Sequence, residues 1–107
     1  MNYKDITVGI VVFKSENVIF DCLKSIKKLN KIIIYDNSND ISLKNSIIKK
    51  YPKIKYILSK KNIGYGAANN KIFKFAKTPY VFVISPDTIL DKNCIDVLIY
   101  QSNKFIK

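Results

Sequence analysis

Residues 6–13 read ITVGIVVF, a nearly continuous apolar run of strand length. A strand with one wet face alternates apolar and polar residues. An unbroken run suits a strand covered on both faces, as in a parallel sheet flanked by helices. Residues 31–35 (KIIIY) and 80–84 (YVFVI) repeat the signal, and residues 54–58 add a shorter run.

The stretches between these runs carry helical spacing. After Ser15, a candidate cap, Val18, Ile19, Cys22, Leu23, Ile26 and Leu29 recur on one face, with Lys24, Lys27 and Lys28 between them. Residues 42–51 predict a second helix stopped by Pro52. Residues 67–76 predict a third, closed by Pro79. Asp91 is placed to cap a last helix carrying Ile95, Leu98, Ile99 and Phe105. The order βαβαβαβα implies an α/β domain with a mainly parallel four-stranded sheet, flanking helices and right-handed crossovers. A chain of 107 residues suits one domain, 1–107, and no internal boundary or repeat interrupts it.

Composition narrows the chemistry. The chain has no His, which excludes His-ligated metals and His general bases; acid–base work falls to Asp, Glu, Lys or Tyr. The formal charge is +11, yet every basic residue is Lys. Nucleic-acid readers lean on Arg for bidentate contacts, so the charge is not read as a nucleic-acid footprint. Two readings remain for it. Lysines spread over solvated helix faces fit the biased Lys, Ile and Asn usage. A positive field serving an anionic membrane or ligand is the other. Cys22 and Cys94 lack CxxC spacing and fall at apolar helix positions, which predicts buried free thiols. Reduced thiols and no signal peptide point to a cytoplasmic protein, and no apolar run has transmembrane length.

In open α/β sheets, ligands bind beyond the carboxyl ends of the strands. The first strand delivers Phe13 and Lys14 there, and the second Asp36 and Asn37. The third delivers the loop 62–66, and the fourth Ser85, Pro86 and Asp87. Asp36 is suited equally to accept hydrogen bonds from a base or ribose and to order a turn. Asn62, Gly64 and Gly66 either let the backbone approach a phosphate at a helix N-terminus or form a plain connection. No Lys-Ser or Lys-Thr follows them, so a Walker-type loop is unsupported. Asp87 could hold a divalent cation, since Mg²⁺ takes only one or two protein carboxylates beside phosphates and water, or it could cap a turn.

These four stretches together resemble the N-terminal part of family-2 glycosyltransferases, which have the Rossmann-like GT-A fold. Residues 6–14 resemble their opening strand, with Val12-Phe13-Lys14 where Thr-Tyr-Asn is common. Ile33-Ile34-Tyr35-Asp36-Asn37-Ser38 resembles the second strand. Asn62-Ile63-Gly64-Tyr65-Gly66-Ala67-Ala68-Asn69-Asn70 is similar to the loop-helix signature of rhamnosyltransferase-like members. Ser85-Pro86-Asp87-Thr88 stands at the metal-diphosphate motif. The resemblance covers nearly the whole chain.

It implies roles residue by residue. Asp36 would contact the base, and Val12 and Phe13 would line base or ribose. Gly64, Asn69 and Ser85 would sit beside the nucleotide, and Asp87 would bind Mg²⁺ or Mn²⁺. The implied donor is a UDP- or dTDP-linked sugar. The implied activity is inverting transfer to a glycan, lipid or protein in bacterial surface polysaccharide synthesis, at the cytoplasmic side, with room for peripheral attachment to the inner membrane face. Two positions depart from the pattern: Ser85 is a poor metal ligand, and Ile72 replaces a common Gly. Family members continue well beyond this length into an acceptor-binding half with the catalytic base, so a chain truncated before that half is expected to be inactive alone. After Asp91, Asp96 is the one carboxylate, within a predicted helix.

The rival is a non-catalytic module that binds a nucleotide sugar or a partner. A receiver-like domain would want an acidic pair after the first strand, where Lys14 and Glu16 stand. An apolar face left uncovered predicts self-association into a homodimer or larger assembly.

Overall fold

All seven residues of β1 (Ile6–Val12) are buried, and so are all five of β2 (Ile32–Asp36). These two strands form the middle of a sheet ordered β3-β2-β1-β4, with every pair parallel. The outer strands are β3 (Lys55–Leu58) and β4 (Tyr80–Ile84), both only partly buried. The computed structural model describes residues 2–105. Four helices, α1 (Ile19–Ser25), α2 (Ile41–Lys50), α3 (Tyr65–Phe75) and α4 (Cys94–Phe105), alternate with the strands, after a short turn of 3-10 helix at Tyr3–Asp5.

The two faces of the sheet are covered differently, and the period of two decides which side chains go where. Ile6, Val8, Ile10 and Val12 meet Ile19, Cys22 and Leu23 of α1, Leu43 and Ile47 of α2, and Ile95 of α4. On the other face Val11, Ile33 and Tyr35 meet Ala68 and Ile72 of α3 alone. The chain winds outward from β1 to β3 under α1 and α2, then crosses back under α3 to place β4 on the far side of β1. Right-handed crossovers require that reversal to change faces. It creates a topological switch point between β1 and β4.

α3 lies close on β1 because of Gly9. A Cβ on Gly9 would stand 2.7 Å from Ile72 Cγ2. The bulk at Ile72 is therefore matched by the missing side chain at Gly9.

Local differences from the sequence expectations have simple causes. Ser15 does not cap α1. Its hydroxyl is turned back to the Phe13 backbone, and the helix starts only at Ile19, with Val18 at the cap making no side-chain bond. Asp40 caps α2, accepting from Leu43 N–H at 2.9 Å. α3 begins at Tyr65, which places Gly66 in its first turn rather than in the loop. Asp91 closes a turn ahead of α4, accepting from Asn93 N–H at 2.9 Å. Cys22 is a buried free thiol as expected, but Cys94 is only half-buried. On α4, Ile95 is buried and Ile99 packs on the core, whereas Leu98 is 41% exposed. The side chain of Phe105 lies outside the described residues.

Candidate functional site

Register alone brings the expected residues to one edge. Val12 is level with Asp36, Asp36 with Leu58, and Ile10 with Ile84, so the residues that follow all four strands share the carboxyl rim.

At the end of β2, Asp36 is fully buried and both its oxygens are engaged. Oδ1 accepts from the N–H and the hydroxyl of Ser38, at 2.8 and 2.5 Å. Oδ2 accepts from Asp40 N–H at 3.1 Å and from the Tyr56 hydroxyl at 2.6 Å. A buried carboxyl group requires such partners. Tyr56 pays the converse electrostatic cost: burial first, then the bond to Asp36 and the charges of Asp36 and Asp40, push its phenol well above the ordinary value.

Asn37 and Ser38 join this corner to its neighbours. The Asn37 side chain accepts from Ile63 N–H and donates to Gly64 O, both at 3.2 Å, while its own N–H reaches Val12 O at 2.7 Å. Ser38 Oγ accepts from Lys14 N–H at 3.2 Å. The ends of β1, β2 and the loop before α3 thus form one hydrogen-bonded rim. Phe13 rises from it 48% exposed, with Lys14 Nζ 5.3 Å from the ring centroid.

Gly64 is the N-cap of α3 at φ 85 and ψ 169, a conformation that only glycine adopts without strain. Asn62 Oδ1 accepts from its N–H at 2.9 Å and fixes the entry to the helix. Apart from its chain neighbours and the backbone of its own helix, nothing lies within 4 Å of where a Cβ on Gly66 would be, so the first turn of α3 is open at that position. One turn on, Asn69 is nine-tenths buried, and its Oδ1 has no hydrogen-bond partner among the described residues. A buried orphaned amide oxygen is uncommon and fits a site completed by a ligand or water.

After β4, Thr88 N–H donates to Ser85 O at 3.0 Å, closing a turn with Pro86 and Asp87 at its tip. Ser85 and Asp87 are both exposed. α1 supports the turn from below. The Cys22 thiol donates to Ser85 O at 3.8 Å, and Ser25 Oγ accepts from Leu90 N–H at 3.1 Å. Burial, and secondarily the charge of Asp87, raise the Cys22 thiol to about 11, so it is a support and not a nucleophile.

Could this edge hold a metal? Among the described residues no group of three His, Cys, Asp or Glu is placed to do so. Asp87 offers one free carboxylate, with only a serine beside it. That fits a cation whose remaining ligands are phosphate and water, and does not fit an all-protein cage. Asp96 stands elsewhere: Tyr3 donates to its Oδ1, and Lys28 Nζ lies 3.9 Å from its Oδ2.

Comparison with known proteins decides the family. Residues 7–104 match the family model described as Glycosyl transferase family 2. The chain belongs to glycosyl transferase family 2. Two relatives, the SPbeta prophage-derived glycosyltransferase SunS of Bacillus subtilis (strain 168) and glycosyltransferase SunS of Bacillus phage SPbeta, are each 28% identical over 88 residues. Those residues are 81% of this chain and 21% of the relatives, so the chain spans about a fifth of their length. A crystal structure of S. aureus TarS superposes with a TM-score of 0.80 at 22% identity, over 94% of this chain and 32% of that one. The sheet and its helices are therefore the Rossmann-like part of a GT-A fold, as the sequence resemblance implied. No helix among the described residues is long and apolar enough to cross a membrane.

Asn37 is expected at this edge from the sequence; Ser38, Tyr56 and Gly9 are not expected as site-shaping residues. Of these only Ser38 left a usable signal, as part of the polar run 36–40 at a strand end.

Proposed function

We propose that the carboxyl edge of this sheet binds a nucleotide-diphosphate sugar, UDP- or dTDP-linked, as the donor-binding part of an inverting glycosyltransferase. One observation carries the reading: in a family-2 domain, the open first turn of α3 and the exposed Asp87 both follow strands at the carboxyl edge, and one turn into α3 the buried Asn69 Oδ1 has no hydrogen-bond partner among the described residues.

Each residue then has a defined task. The first-turn amides of α3, which a helix leaves without internal partners, suit an anionic diphosphate, and Gly64 keeps the approach clear. The half-exposed Phe13 ring offers an apolar surface to base or ribose, and Val12, fully buried with its carbonyl engaged by Asn37 N–H, supports it from below. Asp36 acts through the turn that it orders, because a direct bond to a base would have to displace Ser38, Asp40 or Tyr56. Asp87, with Ser85 beside it, would hold a Mg²⁺ or Mn²⁺. When bound, that ion neutralises charge on the departing diphosphate. Activation of the acceptor hydroxyl falls to a base outside this rim, since Asp96 is occupied by Tyr3 and Lys28. In this reading the whole enzyme works at the cytoplasmic side, in bacterial surface polysaccharide synthesis.

Thermal denaturation with millimolar UDP- or dTDP-sugars, with and without Mn²⁺, tests the proposal. A donor that binds only the folded state raises Tm. The Mn²⁺-dependent part of that rise is expected to vanish in Asp87→Ala. No rise with any of several nucleotide sugars would refute donor binding, and a rise indifferent to Asp87→Ala would remove its metal role.

A further inference from the structure

Opposite the donor edge, at the amino ends of the strands, three clefts adjoin around Asn30, which lines all of them. The largest, about 330 Å³, is bordered by Lys31, Lys53, Lys55 and Lys77. The next, about 200 Å³, adds Lys27 and Lys50. Their floors are apolar: Leu29, Tyr51, Pro52 and Ile54 in one, Phe75 and Ala76 in the other.

The charge has little local compensation. Among the described residues the single ion pair is Lys28–Asp96, between two well-exposed side chains. Asp5 at this end is turned to the Asn2 N–H. Glu16, Asp36, Asp40 and Asp87 lie instead in segments that follow the strands at the donor edge, whereas Asp91 follows Leu90, whose N–H reaches Ser25 at the end of α1. Much of the +11 charge is therefore gathered at one end of the sheet. Helix dipoles account for lysines in the last turns of α1 to α3. They do not account for Lys31, Lys53, Lys55 and Lys77, which lie outside every helix.

We infer that this end of the domain docks on an anionic lipid surface. Lysines on flexible stems around shallow apolar floors match a headgroup layer, where cations meet phosphate and aromatic rings sit at the boundary. Phe75 and Tyr80, each 41% exposed, stand at this end, with Lys55 Nζ 4.5 Å from the Phe75 ring centroid. The absence of Arg disfavours a nucleic acid as the occupant. Docking this way leaves the carboxyl edge turned away from the bilayer and open to a soluble donor.

Vesicle flotation of the 107-residue chain tests the inference. Vesicles of phosphatidylcholine alone are compared with vesicles that also contain phosphatidylglycerol, at low and high salt. Binding is expected to the anionic vesicles only and to be lost at high salt. The triple variant Lys27→Gln, Lys53→Gln, Lys77→Gln should weaken it by roughly tenfold or more. A triple variant at the other end, Lys14→Gln, Lys60→Gln, Lys61→Gln, should leave it nearly intact, with circular dichroism showing both variants folded. Equal losses in the two variants, equal binding to neutral vesicles, or capture of soluble polyphosphate without vesicle binding would each overturn it.

Discussion

Asp36 and Asp87 both follow apolar strands that end at the same rim, yet the tertiary structure treats them in opposite ways. Asp36 ends β2, which has a strand on each side; the turn after it supplies three donors and Tyr56 of β3 a fourth to one buried carboxyl group. Asp87 follows β4, which pairs only with β1 among the described strands, and its turn stands open above α1. The difference shows how neighbours convert a carboxylate into structure and how an edge position leaves one available for a ligand. It also divides the rim into a fixed wall, from β1 to the start of α3, and an exposed arm after β4.

Removing Asp36 should break the wall. Asp36→Ala leaves the Tyr56 hydroxyl and the Asp40 N–H without their acceptor, at a cost of roughly 3 kcal/mol or more. In a domain of this size that is a fall in Tm of roughly 10 °C or more, measurable by circular dichroism. A fall no larger than that of an Asp87 variant would erase the contrast between the two corners.

The wall also depends on α3 lying close to β1. Gly9→Ala places a methyl group against Ile72 and should cost about 1–3 kcal/mol. Ile72→Ala makes room for that methyl while losing its own packing. The double variant should therefore be more stable than the two single losses added together, as a double-mutant cycle in urea would show. Strict additivity would mean that the contact at Gly9 does not hold the helix.

Alkaline pH probes the support beneath the arm. The Cys22 thiol ionises near 9.0 in the unfolded chain and only at about 11 in the folded one. The unfolded state therefore binds fewer protons across that interval, and stability falls as pH rises from about 9 to 11. Cys22→Ala should lose that part of the decline in urea titrations, whereas the part due to Tyr56 remains. An unchanged profile would show that Cys22 is not shielded under the turn.

The smallest effect is expected at Asp87 itself. Asp87→Asn removes an exposed charge with no hydrogen bond to lose and should move stability by no more than about 0.5 kcal/mol. A clear loss without any ligand would make Asp87 part of the wall. A near-zero change, together with lost Mn²⁺ dependence of donor binding, would sharpen its assignment as a ligand.

Much of this was legible in the chain. The apolar runs at residues 6–13 and 31–35 announced strands covered on both faces, and β1 and β2 are buried throughout. Asn62, Gly64 and Gly66 marked the entry to α3, and Gly64 holds the glycine-only conformation that such an entry needs. Less legible was α1. Its helical spacing ran from Val18 to Leu29, but the regular helix stops at Ser25, and Ile26 and Leu29 are buried through successive tight turns instead. Apolar spacing reports which side chains are covered and does not by itself fix the backbone that covers them.

The sequence by itself determined the alternation of strands and helices, the parallel sheet, and the strand ends at which polar residues collect. Those follow from periodicity and local chemistry, which act between near neighbours. Only the tertiary structure decided that Tyr56, twenty residues after Asp36, would close the hydrogen-bond set of that carboxyl group. It also decided that Gly9 would make room for Ile72, and that lysines from separate connections would gather at one end. Each of these depends on which strand lies beside which and on the face that each crossover takes. No local window contains that information.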